Sequence, residues 1–477
     1  MNHLQAGVAK REITTEEKNV AVRDPLWAKA LVLENGKMRV VLLTLDAVAI
    51  GGICDVSDEF LPALRERIER ELQIPGAQVV VNASHTHPPG RILCADDELL
   101  RRCFDVVKTA SQNLNPVVVG VGKGCNDRLT MNRNLQLKNG RHWTIRHGHP
   151  GPPENEVAGV GEIDPEIGVL RIDITNGKPL AIVYNFACHF LFGDPQGSVT
   201  ANFSGIASDI LEETLEGAMA FFVQGAAGDV IDVGFKDFSK PRDIVPFGRA
   251  LAGSTLEAYR KIKTGDASLS FASQIIELPR REDSDERIAF LKNEQRETLA
   301  GLRGTTLDFE KFLPLYLREK LAPRNSFGAL QAEKIGDDLP VQMDAFIREK
   351  IEKYLQSVRA MEKLARIEDE IATFERHKAI NEEAGTKTAS AEIAGLKIGD
   401  CVFVTAPIEI LTEVALGIKT ASPYENTFIA AFTNGYMHYG PPAEDYDKGS
   451  YEVTECFLAP GWQEIYESAT RDIILRL

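Results

Sequence analysis

The sequence predicts an α/β fold: a mixed, partly parallel β-sheet core with flanking helices and a helical insertion. Three observations lead there. Apolar runs of strand length alternate with amphipathic stretches through the first half. Asn-Gly turns lie inside strand-like segments, which signals hairpins. Near residue 280 the composition turns from apolar to charge-dense. A chain of 477 residues is long enough for one large domain or two to three smaller ones.

The elements follow in order. MRVVLLTLD (38–46) is a continuous apolar run ending in an acid, the pattern of a buried strand. In 57–73, Leu61, Leu64, Ile68 and Leu72 recur at helical spacing, and Ser57 is the expected cap. QVVVNA (78–83) is the next strand, 95–114 a second amphipathic helix, and PVVVGVG (116–122) a third strand. This β-α-β-α-β order predicts parallel neighbours joined by right-handed crossovers. Hairpins are expected in LQLKNGRHWTI and in 170–190, whose second strand should run to His189. A helix near 204–217 precedes AFFVQGAAGDV (220–230), a strand entering a glycine-rich loop.

Residues 281–385 read as a charged helical insertion within a domain formed by 1–280 and 386–477. Phe346, Ile351, Leu355, Val358, Met361 and Ile367 mark its packing stripe. Strand signals resume at 391–407. A helix should begin directly after Pro407, and 426–440 is a strand entering an aromatic loop.

Composition excludes several classes. A net charge of −16 argues against nucleic acid or anionic membranes as partners. No apolar run reaches membrane-spanning length, and the N-terminus lacks the layout of a signal peptide, so a cytoplasmic location is expected unless a leader was trimmed. The seven cysteines contain no CxxC pair and read as reduced, mostly buried thiols. A Walker A loop, a GxGxxG turn after a strand and a GxSxG elbow are all missing, which disfavours a nucleotide enzyme or a serine hydrolase.

The chemistry-bearing stretch is VVVNASHTHPPG (79–90). In extended chain, residues i and i+2 share a face, so His85 and His87 can point at one ligand. Zinc takes imidazole nitrogen and carboxylate oxygen and keeps a position for water. The alternative is that strand-end histidines simply bond to backbone. His189, ending another apolar strand, reads by itself as a core histidine. Glu409, close after Pro407, would be favoured by a helix dipole alone. Tyr439 and Tyr451 taken singly are packing aromatics.

Together these stretches say more. The order of AGVAKREIT, LTLD, ASHTHPPG, MNRN, FACHF, FVQGAAGDV, APIEILTE and YMHYGPPAEDYDKGSYE resembles the neutral/alkaline, non-lysosomal ceramidase family, zinc-dependent amidases that cleave the N-acyl bond of ceramide. The resemblance spans most of 6–280 and 390–465. It implies Zn²⁺ held by His85, His189, Glu409 and Tyr439, with Arg133 and Tyr451 at the substrate carbonyl. His87 is the candidate general acid/base, and Asp46 the candidate to orient a ligand histidine. Departures are also present. HTHPPGR stands for the family's HTHSGPGG, Ile408 replaces the glycine of Pro-Gly-Glu, and Ile231 replaces a site serine. The family's C-terminal immunoglobulin-like domain has no counterpart in this length.

The expectation is a zinc-dependent hydrolase using metal-activated water on an amide, with a small-molecule or lipid-like substrate, including ones more soluble than ceramide. A hydrolase of esters, lactones or sugar-derived substrates on the same scaffold is the first alternative. An inactive metal-binding homologue is the second. The sequence leaves the oligomeric state open.

Overall fold

The computed structural model describes residues 4–304 and 345–477, apart from 37, 147–149, 195, 236, 238 and 240, with side chains from 349 onward in the last segment; between 305 and 344 only scattered positions are described. The chain divides into two units. One comprises Met1–Ile145, Gly151–Arg281 and Asn381–Leu477; the other comprises Arg146–Pro150 and Glu282–Ile380.

The larger unit is built on an eight-stranded mixed sheet. Its strands are β1 (Gln5–Glu12), β2 (Trp27–Glu34), β3 (Arg39–Leu45), β4 (Val79–Ala83), β5 (Asn115–Cys125), β6 (Glu166–Ile174), β7 (Pro179–Phe186) and β8 (Met219–Gln224), in the order β8-β7-β6-β5-β1-β2-β3-β4. Only β3–β4 and β7–β8 pair in parallel. Each pair is joined through a helix, α1 (Phe60–Leu72) in the first and α3 (Asn202–Thr214) in the second. The expected parallel run therefore stops after β4. The third strand, β5, returns to the far side of β1 and pairs antiparallel with β1 and β6. The hairpin β1–β2 fills the intervening place.

A second sheet contains β9 (Leu269–Pro279), β10 (Thr388–Ile398), β11 (Cys401–Thr405) and β12 (Asn426–Ala430), in chain order across the sheet, with β11–β12 parallel. The two sheets face each other. Leu31, Val40, Leu42 and Phe221 of the first pack with Leu396, Phe403 and Phe428 of the second. The opposite pleat of the first sheet, with Val41, Leu43 and Val81, meets α1 and α2 (Asp96–Gln112). Its other half meets α3 and α4 (Val245–Lys261). The outer pleat of the second sheet is covered by Val414 of α7 (Thr412–Ala421) and by Trp462 and Tyr466 of α8 (Trp462–Leu475). Both faces of β3 are thus buried, which is why MRVVLLTL shows no alternation.

Two helix starts differ from the sequence reading. Helix α1 begins at Phe60 after Glu59 and has no side-chain cap; Ser57 contributes its backbone carbonyl to the Phe60 N–H instead. Helix α7 begins at Thr412, five residues past Pro407, because Glu409–Ile410 forms a short strand first.

In the smaller unit, α5 (Ser284–Gly301) and α6 (Ala345–Ala384) pack through Ile288 and Leu291 against Ile367, Ile371 and Phe374. Of the expected stripe, Ile351 and Ile367 are buried, Leu355 and Val358 are half-buried, and Met361 is 51% exposed. The Phe346 side chain lies outside the described residues. Of the seven cysteines, Cys54 and Cys125 are exposed and the other five buried, all as free thiols. Among the described residues, no helix is long and apolar enough to cross a membrane.

Candidate metal centre

The parallel strand pairs bring their carboxyl ends to one place, where α/β sheets gather ligands. Strand β4 delivers His85, β7 leads to His189, and the segments after β11 and β12 carry Glu409 and Tyr439. Polar side chains tie these ends together. Asn82, fully buried on β4, donates to the Ala431 carbonyl and accepts from the Gln224 N–H. Gln224, fully buried at the end of β8, donates to the carbonyls of Ser84 and Cys188 at 3.0 and 2.7 Å. Those are the residues immediately before His85 and His189.

The backbone around the site is held in an uncommon conformation. His85, Phe432, Asn434 and His438 all have left-handed φ values of 53–63°, each costing about 1–3 kcal/mol for a non-glycine residue. Compensating bonds fix them. The His85 N–H donates to Ala47 O, and Asn434 accepts from the Val81 N–H through its side chain. Phe432 stacks on the His85 ring with centroids 3.9 Å apart.

Three imidazoles converge. His85 Nε2 lies 3.0 Å from His189 Nε2 and 2.9 Å from His87 Nε2. His85 Nδ1 is 2.6 Å from Val48 O, and His189 Nδ1 is 3.3 Å from Ala227 O. A ring N–H donated to a carbonyl at Nδ1 leaves Nε2 as a lone pair, the usual arrangement behind a metal-ligating histidine. Burial lowers the pKa of both rings well below the ordinary histidine value. His87 adds to the effect at His85, and His85 adds to it at His189. Both are therefore neutral near pH 7, the form that binds metal.

Glu409 completes the cluster. Its Oε2 is 3.6 Å from His85 Nε2 and 3.7 Å from His189 Nδ1, buried, and without a hydrogen-bond partner among the described residues. Its Oε1 accepts a 2.5 Å hydrogen bond from the Tyr436 hydroxyl. Burial pushes the Glu409 carboxyl up to about 7, opposed by Tyr436 and Arg133. Glu409 and Tyr439 are register partners in a short parallel pairing, which sets them side by side. An orphaned carboxylate oxygen beside neutral ring nitrogens is a donor set that could hold a divalent cation of zinc type.

Arg133 stands behind Tyr439. It donates to the Tyr439 hydroxyl at 3.0 Å, to Gly228 O at 2.6 Å and to Glu452 Oε1 at 2.7 Å. Glu452, itself fully buried, also accepts from Thr144 Oγ1. Burial disfavours the guanidinium charge, but Tyr439 and Glu452 outweigh it and hold its pKa above the ordinary value. Tyr451 packs edge-on to Tyr439 with centroids 5.3 Å apart, its ring 5.4 Å from the Arg133 guanidinium.

Seven of the eight residues selected from the sequence thus lie in one neighbourhood. Asp46 does not join them. Its carboxylate accepts from the Trp27 N–H and lines a separate cavity with Asp24, Lys29 and Asp209. The orienting role expected of it falls at His85 and His189 to the Val48 and Ala227 carbonyls. Ile231 is buried and bridges His189 through backbone alone. Sequence reasoning overlooked Gln224, Phe432, Tyr436 and the role of Glu452. Tyr436, three residues before Tyr439 in the same aromatic loop, was the most visible of these.

Comparison with known proteins bears on the fold. No protein-family model and no curated protein matches the sequence. Among solved structures, the chain is similar over its whole length to neutral ceramidase from Pseudomonas aeruginosa, covering 75% of that chain with a TM-score of 0.61 at 16% identity. The fold is that of a neutral ceramidase. A second such structure, described as ceramidase complexed with C2, gives a TM-score of 0.61 at 14% identity and is 76% covered. The ceramidase likeness at this identity is one of architecture.

Proposed function

We propose that this chain is a zinc-dependent hydrolase that cleaves the carbon–nitrogen bond of an N-acyl compound, with a substrate more soluble than ceramide. The observation that carries the reading is the convergence of the His85, His87 and His189 ring nitrogens beside the unpartnered Oε2 of Glu409. The ligand set we assign is His85, His189, Glu409 and Tyr439. The ceramidase fold supports amide cleavage, because the solved structures it resembles are described as ceramidases. The departures at HTHPPGR and Ile231 support a substrate other than ceramide.

A zinc ion bound there supplies Lewis acidity and brings the pKa of a water toward about 7. The chain's own residues do the rest. Arg133, held charged by Glu452, and the hydroxyl of Tyr451 donate hydrogen bonds to the substrate carbonyl oxygen as it gains negative charge. One donor of that kind contributes about 3 kcal/mol to transition-state stabilisation. His87, the exposed member of the imidazole cluster, carries on its ring the proton delivered to the leaving nitrogen.

The test is hydrolysis of a panel of N-acyl amides, esters and lactones, with and without chelator. Chelator-sensitive cleavage of soluble N-acyl amides is the expected result. Preference for esters or lactones would move the reading to another leaving group. Turnover of ceramide-like lipids alone would remove the solubility claim. Turnover unaffected by complete metal removal would end the zinc reading.

A further inference from the structure

The role of Tyr436 extends the proposed zinc centre and rests on that reading. We infer that Tyr436 is a positioning residue that fixes which oxygen of Glu409 faces the metal. Its hydroxyl donates to Oε1 at 2.5 Å, while Oε2 has no hydrogen-bond partner among the described residues and lies 3.6 and 3.7 Å from ring nitrogens of His85 and His189. A carboxylate on a buried two-residue strand is otherwise able to rotate about its last torsion, a broad and roughly two-fold well. Pinning one oxygen turns that freedom into a single presentation, with one oxygen hydrogen-bonded and the other directed at the nitrogens.

The tyrosine is itself fixed from behind. Gly52 has φ +73°, and a Cβ built there would stand 2.9 Å from Tyr436 Cδ1 and 3.1 Å from its Cβ. Only glycine allows the loop after β3 to close over this ring. The series Gly52, Tyr436, Glu409 thus joins a surface turn to the buried carboxylate. Hydrogen-bonded partners of metal ligands commonly contribute about 10–100-fold to metal affinity when removed.

The experiment measures Zn²⁺ affinity by chelator competition on the full chain, alongside the visible spectrum of the Co²⁺-substituted protein. Wild type is expected to bind one Zn²⁺, and Glu409→Gln to lose it. Tyr436→Phe is expected to bind Zn²⁺ about 10–100-fold more weakly, with an altered Co²⁺ spectrum and an unfolding temperature unchanged in the metal-free state. Gly52→Ala keeps the hydroxyl but displaces the ring, and should weaken Zn²⁺ in the same direction. If wild type binds no Zn²⁺, the metal reading fails. If wild type binds Zn²⁺ and either folded variant matches it in affinity and spectrum, the positioning role of Tyr436 is overturned while the metal reading stands.

Discussion

The Nε2 atoms of His85 and His189 lie 3.0 Å apart across 104 positions of sequence. Two neutral, buried imidazoles that turn their Nδ1 atoms to backbone carbonyls leave two Nε2 atoms facing each other. A cation bound between them and Glu409 would relieve that arrangement.

Metal content is the first consequence. Protein purified with zinc present is expected to hold one equivalent by elemental analysis, and His85→Ala, His189→Ala or Glu409→Gln to hold far less. Zinc free at about 100 times its Kd should stabilise the fold by about 2.7 kcal/mol, seen as a rise in the unfolding midpoint. A wild-type midpoint indifferent to zinc and chelator contradicts the assignment.

His87 and Tyr451 are expected to separate chemistry from metal binding. His87→Ala should lower kcat by about 10²–10⁴, and Tyr451→Phe by about 10²–10³. Both should retain stoichiometric zinc. Loss of zinc in His87→Ala would instead place this histidine among the ligands, a role its 2.9 Å distance from His85 also permits.

The Arg133–Glu452 pair is buried at both ends, with side chains 3% and 0% exposed. Glu452→Gln leaves a buried guanidinium without its counter-charge and should cost about 3–5 kcal/mol in urea unfolding. A loss below about 1 kcal/mol would mean that Tyr439 and Gly228 suffice to hold Arg133.

Asp46 yields a prediction about pH. Burial raises its carboxyl from 3.8 to about 6, with Lys29 pulling the other way. The native state therefore keeps a proton that the unfolded chain releases between about pH 4 and 6. This group's contribution to stability falls as pH rises through that window, by at most about 3 kcal/mol. Asp46→Asn removes the dependence, so the variant should gain on wild type above pH 6 while zinc affinity stays within about twofold. Thermal unfolding at pH 4.5 and 7.5, with zinc titrations, decides both points.

Much of this was legible in the chain. MRVVLLTL and QVVVNA announced strands because both of their faces are covered, and the amphipathic stripe of 57–73 announced α1. The order of the short motifs, through their resemblance to the ceramidase family, pointed to His85, His189, Glu409 and Tyr439; taken singly, the last three read as a core histidine, a helix-start acid and a packing aromatic. The position of β5 was not legible. Its apolar run fits either side of the sheet, and the long-range pairing with β6 chose one. Glu409 read as a helix start because Pro407 precedes it, yet the Glu409 N–H donates to the His438 carbonyl, and that contact makes a strand.

The sequence by itself determined the most strongly patterned strands and helices, though not β1, β2, β9 or α4, and the kinds of side chain available for chemistry, because periodicity and residue type are local properties of the chain. Tertiary structure alone decided which of those side chains meet. Asn82 and Gln224 tie four strand ends together through hydrogen bonds between distant residues. That network sets His189 beside His85, and Asp46 turns instead to the Trp27 N–H in a cavity of its own. Such convergence depends on the pairing of strands far apart in the chain, which no local pattern specifies.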